Sequence, residues 1–199
     1  MPVETLAVIG DTVTLQPDDT VVSNFFHPEA VARLFDRAAE KGIDRLIDLE
    51  LPEIERWGWR AMENILPFAS LVVTNRQVLE AWMARSGNER PIDEAAEELA
   101  RFLAADGRRK AVVTLGSEGL VAIDGSAVHR VGAFRVTPRN TTGAGDVFLA
   151  GLATAMRRGR RFDAALVFGT AAAAHFLETG RCDDAAAEAL VKEKMKERL

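Results

Sequence analysis

Short apolar runs rich in β-branched residues recur along the first part of the chain, and helix-like patterns separate several of them. Their length and composition are typical of buried strands. The runs lie at residues 6–9, 20–23, 45–49, 71–74 and 111–115. Alternating strands and helices predict right-handed βαβ crossovers, and therefore an α/β fold with a mainly parallel sheet that helices cover on both faces.

Two of the intervening segments show the i, i+3, i+4, i+7 spacing of a helix with one apolar face. The first has its repeating positions at Val31, Leu34, Phe35, Ala38 and Ala39. Gly42 is its expected C-cap. The second opens at Pro91 and stops near Asp106-Gly107. Its repeating positions are Ile92, Ala95, Ala96, Leu99, Phe102 and Leu103.

The alternation of predicted strands and helices stops after residue 119. Runs at 120–123 and 127–131 flank the turn sequence Asp124-Gly125-Ser126, which predicts an antiparallel hairpin. A third short strand is predicted at 134–137. The remainder is predicted to be helical, at 147–158, at 163–177 and in a final charged helix that ends at residue 199. Because no repeat or low-complexity linker interrupts the chain, residues 1–199 are expected to form one domain.

Composition and charge favour an ordinary globular protein over a nucleic-acid-binding one. The 199 residues are 48% hydrophobic, enough for one sizeable core. The net charge of −5 provides no overall positive field to attract nucleic acid or anionic lipid. The short basic run at 157–161 follows a predicted helix end, where cations suit the helix dipole and solvent.

The single cysteine, Cys182, has no partner for an internal disulfide, which favours a reducing compartment. No Lys or Arg precedes the apolar run at 6–9, and no stretch reaches membrane-spanning length. We therefore expect a cytoplasmic protein without a membrane segment. The three histidines are far apart and lack the spacing of zinc ligands, so no protein-held metal site is expected.

The segment from Asn140 to Asp146 carries the chemistry. Gly143 and Gly145 flank Ala144 just before a predicted helix, where unpaired N–H groups and the positive end of the helix dipole favour an anion. A carboxylate at the mouth of the same turn, that of Asp146, is able to accept a proton from a hydroxyl placed in line with a bound phosphate. The alternative is a plain helix start, in which the glycines serve the turn and Asp146 complements the dipole.

The sequence Thr142-Gly143-Ala144-Gly145-Asp146, followed by Phe148 and Ala150-Gly151, resembles the C-terminal signature of the PfkB family of carbohydrate kinases. The resemblance implies a ribokinase-like three-layer α/β/α fold with an antiparallel C-terminal portion, and ATP and Mg²⁺ as cofactors. It implies that the turn of Gly143, Ala144, Gly145 and Asp146 forms an anion hole for the transferred phosphoryl group. Asp146 would be the base, and Thr142 is expected to contribute to cofactor binding.

A second match, at residues 113–119, is a strand that runs into a Gly-x-x-Gly turn and resembles the nucleotide loop of the same family. An ordinary strand-to-hairpin turn is the alternative. The resemblance implies that Thr114, Gly116 and Gly119 lie along the phosphates and ribose of ATP, where glycine permits a close approach of the backbone. The Ala-rich helix at 170–177 and the loop through Gly180 match the region that borders the adenine.

A third match begins at Asn75, which aligns with the first residue of the family's Asn-x-x-Glu motif for magnesium and phosphate. Val78 stands at the Glu position. On a helix, Glu80 would point about 200° away from Val78, at roughly 100° per residue. Asn140 stands where family members usually carry Asp, and Asp48-Leu49-Glu50 where they carry Asp-x-Asn.

The largest departure from the family is length. The first third of a typical member, with a Gly-Gly sugar-binding motif and a β-sheet lid, has no counterpart, and the chain contains no Gly-Gly pair. The resemblance runs from about residue 27 to residue 199. Residues 1–26 are then a shortened remnant or a replacement.

Two hypotheses follow. In the first, the protein is a kinase that transfers the γ-phosphate of ATP to a hydroxyl of a sugar-like small molecule, and a homodimer partner is one source of the missing substrate half. In the second, it is a pseudokinase that binds nucleotide or a partner without turnover, as Val78 and Asn140 suggest. A variant of the first changes the acceptor to a vitamin precursor or a nucleoside.

Overall fold

The structure, a computed structural model, describes residues 11–105 and 107–196, with side chains to residue 193. The strand predicted at 6–9, Asp106 and the last three residues of the predicted final helix lie outside the described residues. The chain divides into two compact units. Unit 1 comprises Met1–Thr114 and Val121–Val128, and unit 2 comprises Leu115–Leu120 and His129–Leu199.

Six strands of the described chain form one mixed sheet, in the order β1-β2-β3-β4-β5-β6. Strands β1 to β4 are parallel. Each strand agrees within one residue with its prediction, and the α/β class is confirmed. The strands are β1 (Thr20–Asn24), β2 (Asp44–Leu49), β3 (Leu71–Asn75), β4 (Lys110–Thr114), β5 (Leu120–Asp124) and β6 (Ala127–Val131).

The inner strands of unit 1 are buried on both faces. Leu46 and Ile47 are adjacent in β2 and therefore point to opposite faces, yet both are fully buried. Val72 and Val73 in β3 are buried in the same way. Such strands contain continuous apolar runs rather than an alternation, as expected for a parallel sheet covered by helices.

The α-helices described in unit 1 connect or follow these strands. They are α1 (Pro28–Glu40), α2 (Leu51–Trp57), α3 (Trp59–Ile65), α4 (Arg76–Ser86) and α5 (Ile92–Ala104). The sequence analysis did not predict α2 and α3. Each has only seven residues, and Gly58 separates them with a positive φ of 89°, so neither is long enough to show a helical repeat.

Helix α1 confirms its predicted apolar face with one exception. Val31, Phe35 and Ala38 are fully buried, whereas Ala39 is exposed. The side chain of His27 caps the helix start by accepting a hydrogen bond from the N–H of Ala30. The helix ends before Gly42, which has the left-handed φ of 70° expected after a helix C-terminus.

Helix α5 also follows its prediction, with Pro91 directly before the first residue. Leu99 and Leu103 are buried, but Phe102 is 43% exposed although the pattern placed it on the same face. The helix ends one residue before Ala105, the one described non-glycine residue with positive φ, at 47°.

The α-helices described in unit 2 are α6 (Ala144–Arg157), α7 (Phe162–Thr179) and α8 (Asp184–Lys196). Helices α6 and α7 cross closely at two glycines: a β-carbon on Gly151 would lie 3.1 Å from Cα of Gly169. Helix α6 begins three residues before its predicted start, which places Asp146 within its first turn.

The prediction of a third strand at 134–137 is wrong. Residues 132–139 form neither strand nor helix. Pro138 has no N–H to give to a sheet, and the N–H of Arg139 donates to the carbonyl of Leu177 in α7 at 2.9 Å. The C-terminal end of the segment therefore bonds to the last turn of a helix.

In the part of the chain that the structure describes, every helix is too short or too polar to span a bilayer.

Candidate functional site

The carboxyl ends of the parallel strands in unit 1 collect polar side chains at one edge of the sheet. Asn75 at the end of β3 is the register partner of Thr114 at the end of β4. Asn24 at the end of β1 is the partner of Asp48 in β2. Ligands of open α/β sheets bind outside the carboxyl ends of their strands, so this edge is the candidate ligand-facing side of unit 1.

Asn75 has a structural role at this edge. Its Oδ1 accepts hydrogen bonds from the N–H groups of Gln77 at 3.0 Å and Val78 at 3.2 Å, and so caps α4. Val78 is 1% exposed. Glu80 is exposed and lies 4.0 Å from Arg76. Glu80 therefore does not take the place of Val78, in agreement with the helical spacing.

Thr114 is tied to its neighbouring strand. Its hydroxyl donates to the carbonyl of Thr74 at 3.2 Å, and the hydroxyl of Thr74 donates to the carbonyl of Leu49 at 2.9 Å. These bonds join the carboxyl ends of β2, β3 and β4 through side chains. They fix the position of Thr114, from which the Gly-x-x-Gly turn starts.

The Gly-x-x-Gly turn belongs to unit 2 and contains two different kinds of glycine. Gly116 has a φ of 63°, is exposed, and would have no atom within 4 Å of an added β-carbon. Gly119 has a φ of 92°, and its β-carbon would lie 2.1 Å from the carbonyl oxygen of Val131. The protein's own backbone therefore requires glycine at 119, whereas the space beside Gly116 is open.

The turn before α6 is shaped by its polar and glycine residues. Oδ1 of Asn140 accepts a hydrogen bond from the N–H of Thr142 at 3.0 Å, a local Asx turn. Gly143 follows with a left-handed φ of 86°. Because an aspartate oxygen accepts the same bond, Asn140 keeps the turn and differs from the family's aspartate only in charge.

The first turn of α6 leaves backbone donors without a helical acceptor. The N–H of Ala144 donates to Thr141 at 3.3 Å, and the N–H of Val147 donates to Gly143 at 3.0 Å. Of the described residues, none caps this helix start with its side chain. The N–H groups of Gly145 and Asp146 are therefore the ones available to an anion.

Gly145 is the glycine of this turn that the fold does not explain. It lies inside α6 with an ordinary helical φ, is exposed, and would have no protein atom within 4 Å of an added β-carbon. Glycine at such a position costs up to about 1 kcal/mol relative to alanine. Neither backbone conformation nor packing requires glycine here.

Asp146 is exposed in the first turn of α6, on the same side of Gly143 as the ring of Phe176. A β-carbon on Gly143 would lie 4.0 Å from Oδ2 of Asp146 and 3.6 Å from Cε1 and Cζ of Phe176. Asp146 forms no ion pair with a cation among the described residues. Its carboxylate is therefore accessible to a ligand.

Two further residues of unit 2 lie at the end of α7. Gly180 is its C-cap, with a φ of 72°, and donates its N–H to the carbonyl of Phe176 at 2.7 Å. Sequence analysis did not single out Phe176. The one available signal was a large aromatic residue at the end of an alanine-rich run.

The candidate residues thus form separate groups within the two units. Asn75 and Thr114 adjoin in unit 1. In unit 2, Gly143 to Asp146 share one turn, and Gly116 and Gly119 share another. No group of three histidine, cysteine, aspartate or glutamate side chains with the geometry of a metal site occurs in the described chain.

Comparison with known proteins identifies the family. A profile of the pfkB family carbohydrate kinases matches residues 16–189. The chain belongs to this family. The match includes the Gly-x-x-Gly turn, Asn75 and the whole turn from Asn140 to Asp146.

Individual pfkB relatives are similar over part of their length. An adenosine kinase of Schizophyllum commune is 30% identical over 139 residues, which are 64% of this chain and 40% of the relative. A fructoselysine 6-kinase of Shigella flexneri is 36% identical over 86 residues, which are 43% of this chain and 33% of the relative. The matched stretches therefore cover less than half the length of these two relatives.

The fold agrees with that of a solved family member. Ribokinase from Thermotoga maritima superposes with a TM-score of 0.66 at 23% identity, over 87% of this chain and 57% of that one. At this identity the likeness shows the fold alone.

Proposed function

We propose that this pfkB protein is an ATP-dependent kinase that phosphorylates a hydroxyl of a sugar or sugar-like metabolite. The observation that carries the proposal is Gly145. A glycine that neither φ nor packing requires, at a helix start with open donors, is explained by a ligand that needs the space of the missing side chain.

The transfer assigns each group one role. The acceptor hydroxyl oxygen attacks the γ-phosphorus of ATP, and the bond from that phosphorus to the β,γ-bridging oxygen breaks. ADP leaves with the electron pair of that bond. The hydroxyl proton passes to the carboxylate of Asp146. The products are a phosphorylated acceptor, ADP and a proton that Asp146 releases to solvent.

The amides at the start of α6 stabilise the transferred group. Negative charge on the equatorial oxygens of the phosphoryl group is bound by the N–H groups of Gly145 and Asp146, assisted by the dipole of α6. The left-handed Gly143 sets the direction in which these donors point. In this proposal the turn from Gly143 to Asp146 forms the anion hole, with the N–H groups of Gly145 and Asp146 as its donors.

Nucleotide binding is assigned to the residues that the family resemblance implies. Gly116 has the open surroundings that suit close approach of a phosphate. Asn75, Thr114, Gly119, Thr142 and Gly180 stay predictions. Four of them also have structural roles: Asn75 caps α4, the Thr114 hydroxyl bonds to Thr74, Gly119 packs against Val131, and Gly180 caps α7.

The donor set fits a magnesium ion that arrives with the nucleotide. Mg²⁺ usually keeps several waters and binds through one or two carboxylates together with substrate phosphates, which does not require a protein-only cage. Asp48, close to the carboxyl end of β2, would be a carboxylate of this kind. When bound, the ion would neutralise charge on the phosphate oxygens.

The acceptor is proposed only as a class. The relatives are named for adenosine and fructoselysine, and both molecules carry sugar hydroxyls. A sugar, a nucleoside or a similar metabolite is therefore the proposed substrate, and a homodimer remains a proposed source of substrate-binding groups.

A second candidate is a pfkB protein that binds nucleotide without turnover. The observation that favours it is Val78, which is apolar and 1% exposed where the family motif has glutamate. Asn140 likewise lacks the charge of the family's aspartate while it keeps the turn.

An assay of ADP release over a panel of sugars and nucleosides, with wild type and Asp146→Asn, separates the two candidates. Asparagine keeps the shape of the side chain and removes the basic carboxylate. The kinase proposal predicts acceptor-dependent ADP release that falls by about 10²–10⁴ in the variant. Wild-type turnover that the variant retains would contradict the role of Asp146, and nucleotide binding without turnover on any acceptor would favour the second candidate.

A further inference from the structure

The ring of Phe176 lies against the turn that carries the anion hole. A β-carbon on Gly143 would lie 3.6 Å from Cε1 and Cζ of the ring, an ordinary van der Waals distance. The same point is 4.0 Å from Oδ2 of Asp146. The ring and the carboxylate therefore both lie within 4 Å of the position that a methyl group on Gly143 would occupy.

The last turn of α7, which contains Phe176, also bonds through its backbone to the chain segment that leads into the anion hole. The carbonyl of Leu177 accepts a hydrogen bond from the N–H of Arg139 at 2.9 Å, one residue before the Asx turn of Asn140. The last turn of α7 thus bonds to the segment at Arg139 through its backbone and approaches Gly143 with the Phe176 ring.

Helix α7 is itself fixed against α6. A β-carbon on Gly169 would lie 2.8 Å from the carbonyl oxygen of Phe148 and 3.1 Å from its ring, so the two helices touch at backbone distance. Contacts this close leave little freedom for α7 to slide. Phe176 therefore lies on a helix that packs at backbone distance against α6.

From these contacts we propose that Phe176 is a positioning residue. It braces the Gly143 turn so that the N–H groups of Gly145 and Asp146 and the carboxylate of Asp146 keep one mutual geometry. This rests on the proposed kinase function for its consequence, because a catalytic group displaced by about 1 Å costs on the order of 10²-fold in rate.

The brace predicts a particular kinetic signature. Removing the ring in Phe176→Ala is expected to lower kcat by about 10- to 100-fold, because the donors and base lose their alignment with the transition state. The KM for ATP is expected to change less than kcat, because misalignment of the donors and base affects the transition state more than the bound nucleotide. Phe176→Leu, which retains an apolar side chain, should recover most of kcat.

The matched control is Phe102→Ala, the same truncation at an exposed position of α5. It is expected to leave both kcat and KM unchanged. A fall of kcat in Phe176→Ala that Phe176→Leu does not restore, or an unchanged kcat in Phe176→Ala, would overturn the positioning role.

Amide hydrogen exchange tests the brace without an acceptor. In Phe176→Ala the N–H groups of Ala144 and Val147, which bond within the turn, should exchange faster than in the wild type, whereas Phe102→Ala should leave them unchanged. Unchanged exchange in Phe176→Ala would overturn the brace. If the wild type phosphorylates no acceptor but exchange still rises, the brace stands and the kinase proposal fails.

Discussion

Glycines at the candidate site are present for different physical reasons. Gly143 adopts a left-handed φ that side chains rarely allow. Gly119 has no room for a β-carbon against Val131. Gly145 has neither constraint, and the fold would be served better by alanine at that position. Among the glycines named in this candidate site, Gly145 is the one for which neither φ nor packing explains the missing side chain.

Replacing Gly145 with alanine should separate stability from activity. The variant is expected to be as stable as the wild type or more stable by up to about 1 kcal/mol, because alanine favours the helix. Its phosphoryl transfer should fall about 10²-fold or more, because the methyl group enters the anion hole. Denaturant unfolding and ADP release measure the two effects.

Gly132→Ala is the control for this substitution. Gly132 is also exposed, and its β-carbon would meet no atom within 4 Å, but it lies outside the anion hole. Its activity should match the wild type. Equal activity in Gly145→Ala and Gly132→Ala would contradict a phosphate cradle at Gly145.

At the scale of elements, the close crossing of α6 and α7 supports the helix whose first turn is the proposed anion hole. Gly169→Ala would place a methyl group 2.8 Å from the carbonyl oxygen of Phe148, and a backbone atom does not yield as a side-chain end does. We expect a loss of about 1–3 kcal/mol in the free energy of unfolding, measured by urea titration. Gly145→Ala, the same substitution in open space, should show no such loss. A Gly169→Ala protein of wild-type stability would mean that the helices separate easily.

The basic run at 157–161 acts as a connection between elements. Arg158 pairs with Asp184 at 2.6 Å, and Arg160 pairs with Glu188. Both acids lie on α8, one turn apart, so the run holds α8 to the turn between α6 and α7. Arg161 pairs with Asp163, and its hydrogen bond lowers the pKa of that carboxyl. The sequence analysis had assigned these cations to solvent and the helix dipole.

Elements with a strong local signal were predictable from the sequence, and elements set by tertiary contacts were not. The continuous apolar runs of β2 to β4 predicted their strands within one residue, because burial on both faces produces an unbroken apolar pattern. Residues 134–137 also contain β-branched and aromatic side chains, yet the bond from Arg139 to Leu177 takes the segment away from the sheet. The seven-residue helices α2 and α3 were missed because neither completes a repeat.

The candidate site likewise contains residues that the sequence predicted and residues that only tertiary contacts revealed. The turn from Gly143 to Asp146 was visible in the sequence because its residues are adjacent. Phe176 was not, because it reaches the turn from a helix about 30 residues later in the chain. The structural roles of Asn75 and Gly119 also became visible only when their neighbours were known.

At the scale of the whole molecule, the chain is a pfkB family member that spans 40% of one relative and 33% of another. The groups proposed to bind phosphate are nevertheless all within it. Nucleotide binding is therefore the step that the account predicts from the residues of this chain.

Calorimetric titration with Mg²⁺-ATP, comparing the wild type with Gly145→Val, tests this account most directly because it needs no acceptor. The account predicts saturable binding by the wild type and at least about tenfold weaker binding by the variant, whose larger side chain fills the space left by Gly145 while the fold stays intact. No binding by the wild type up to millimolar ATP, or equal binding by both proteins, would contradict a phosphate cradle at the start of α6.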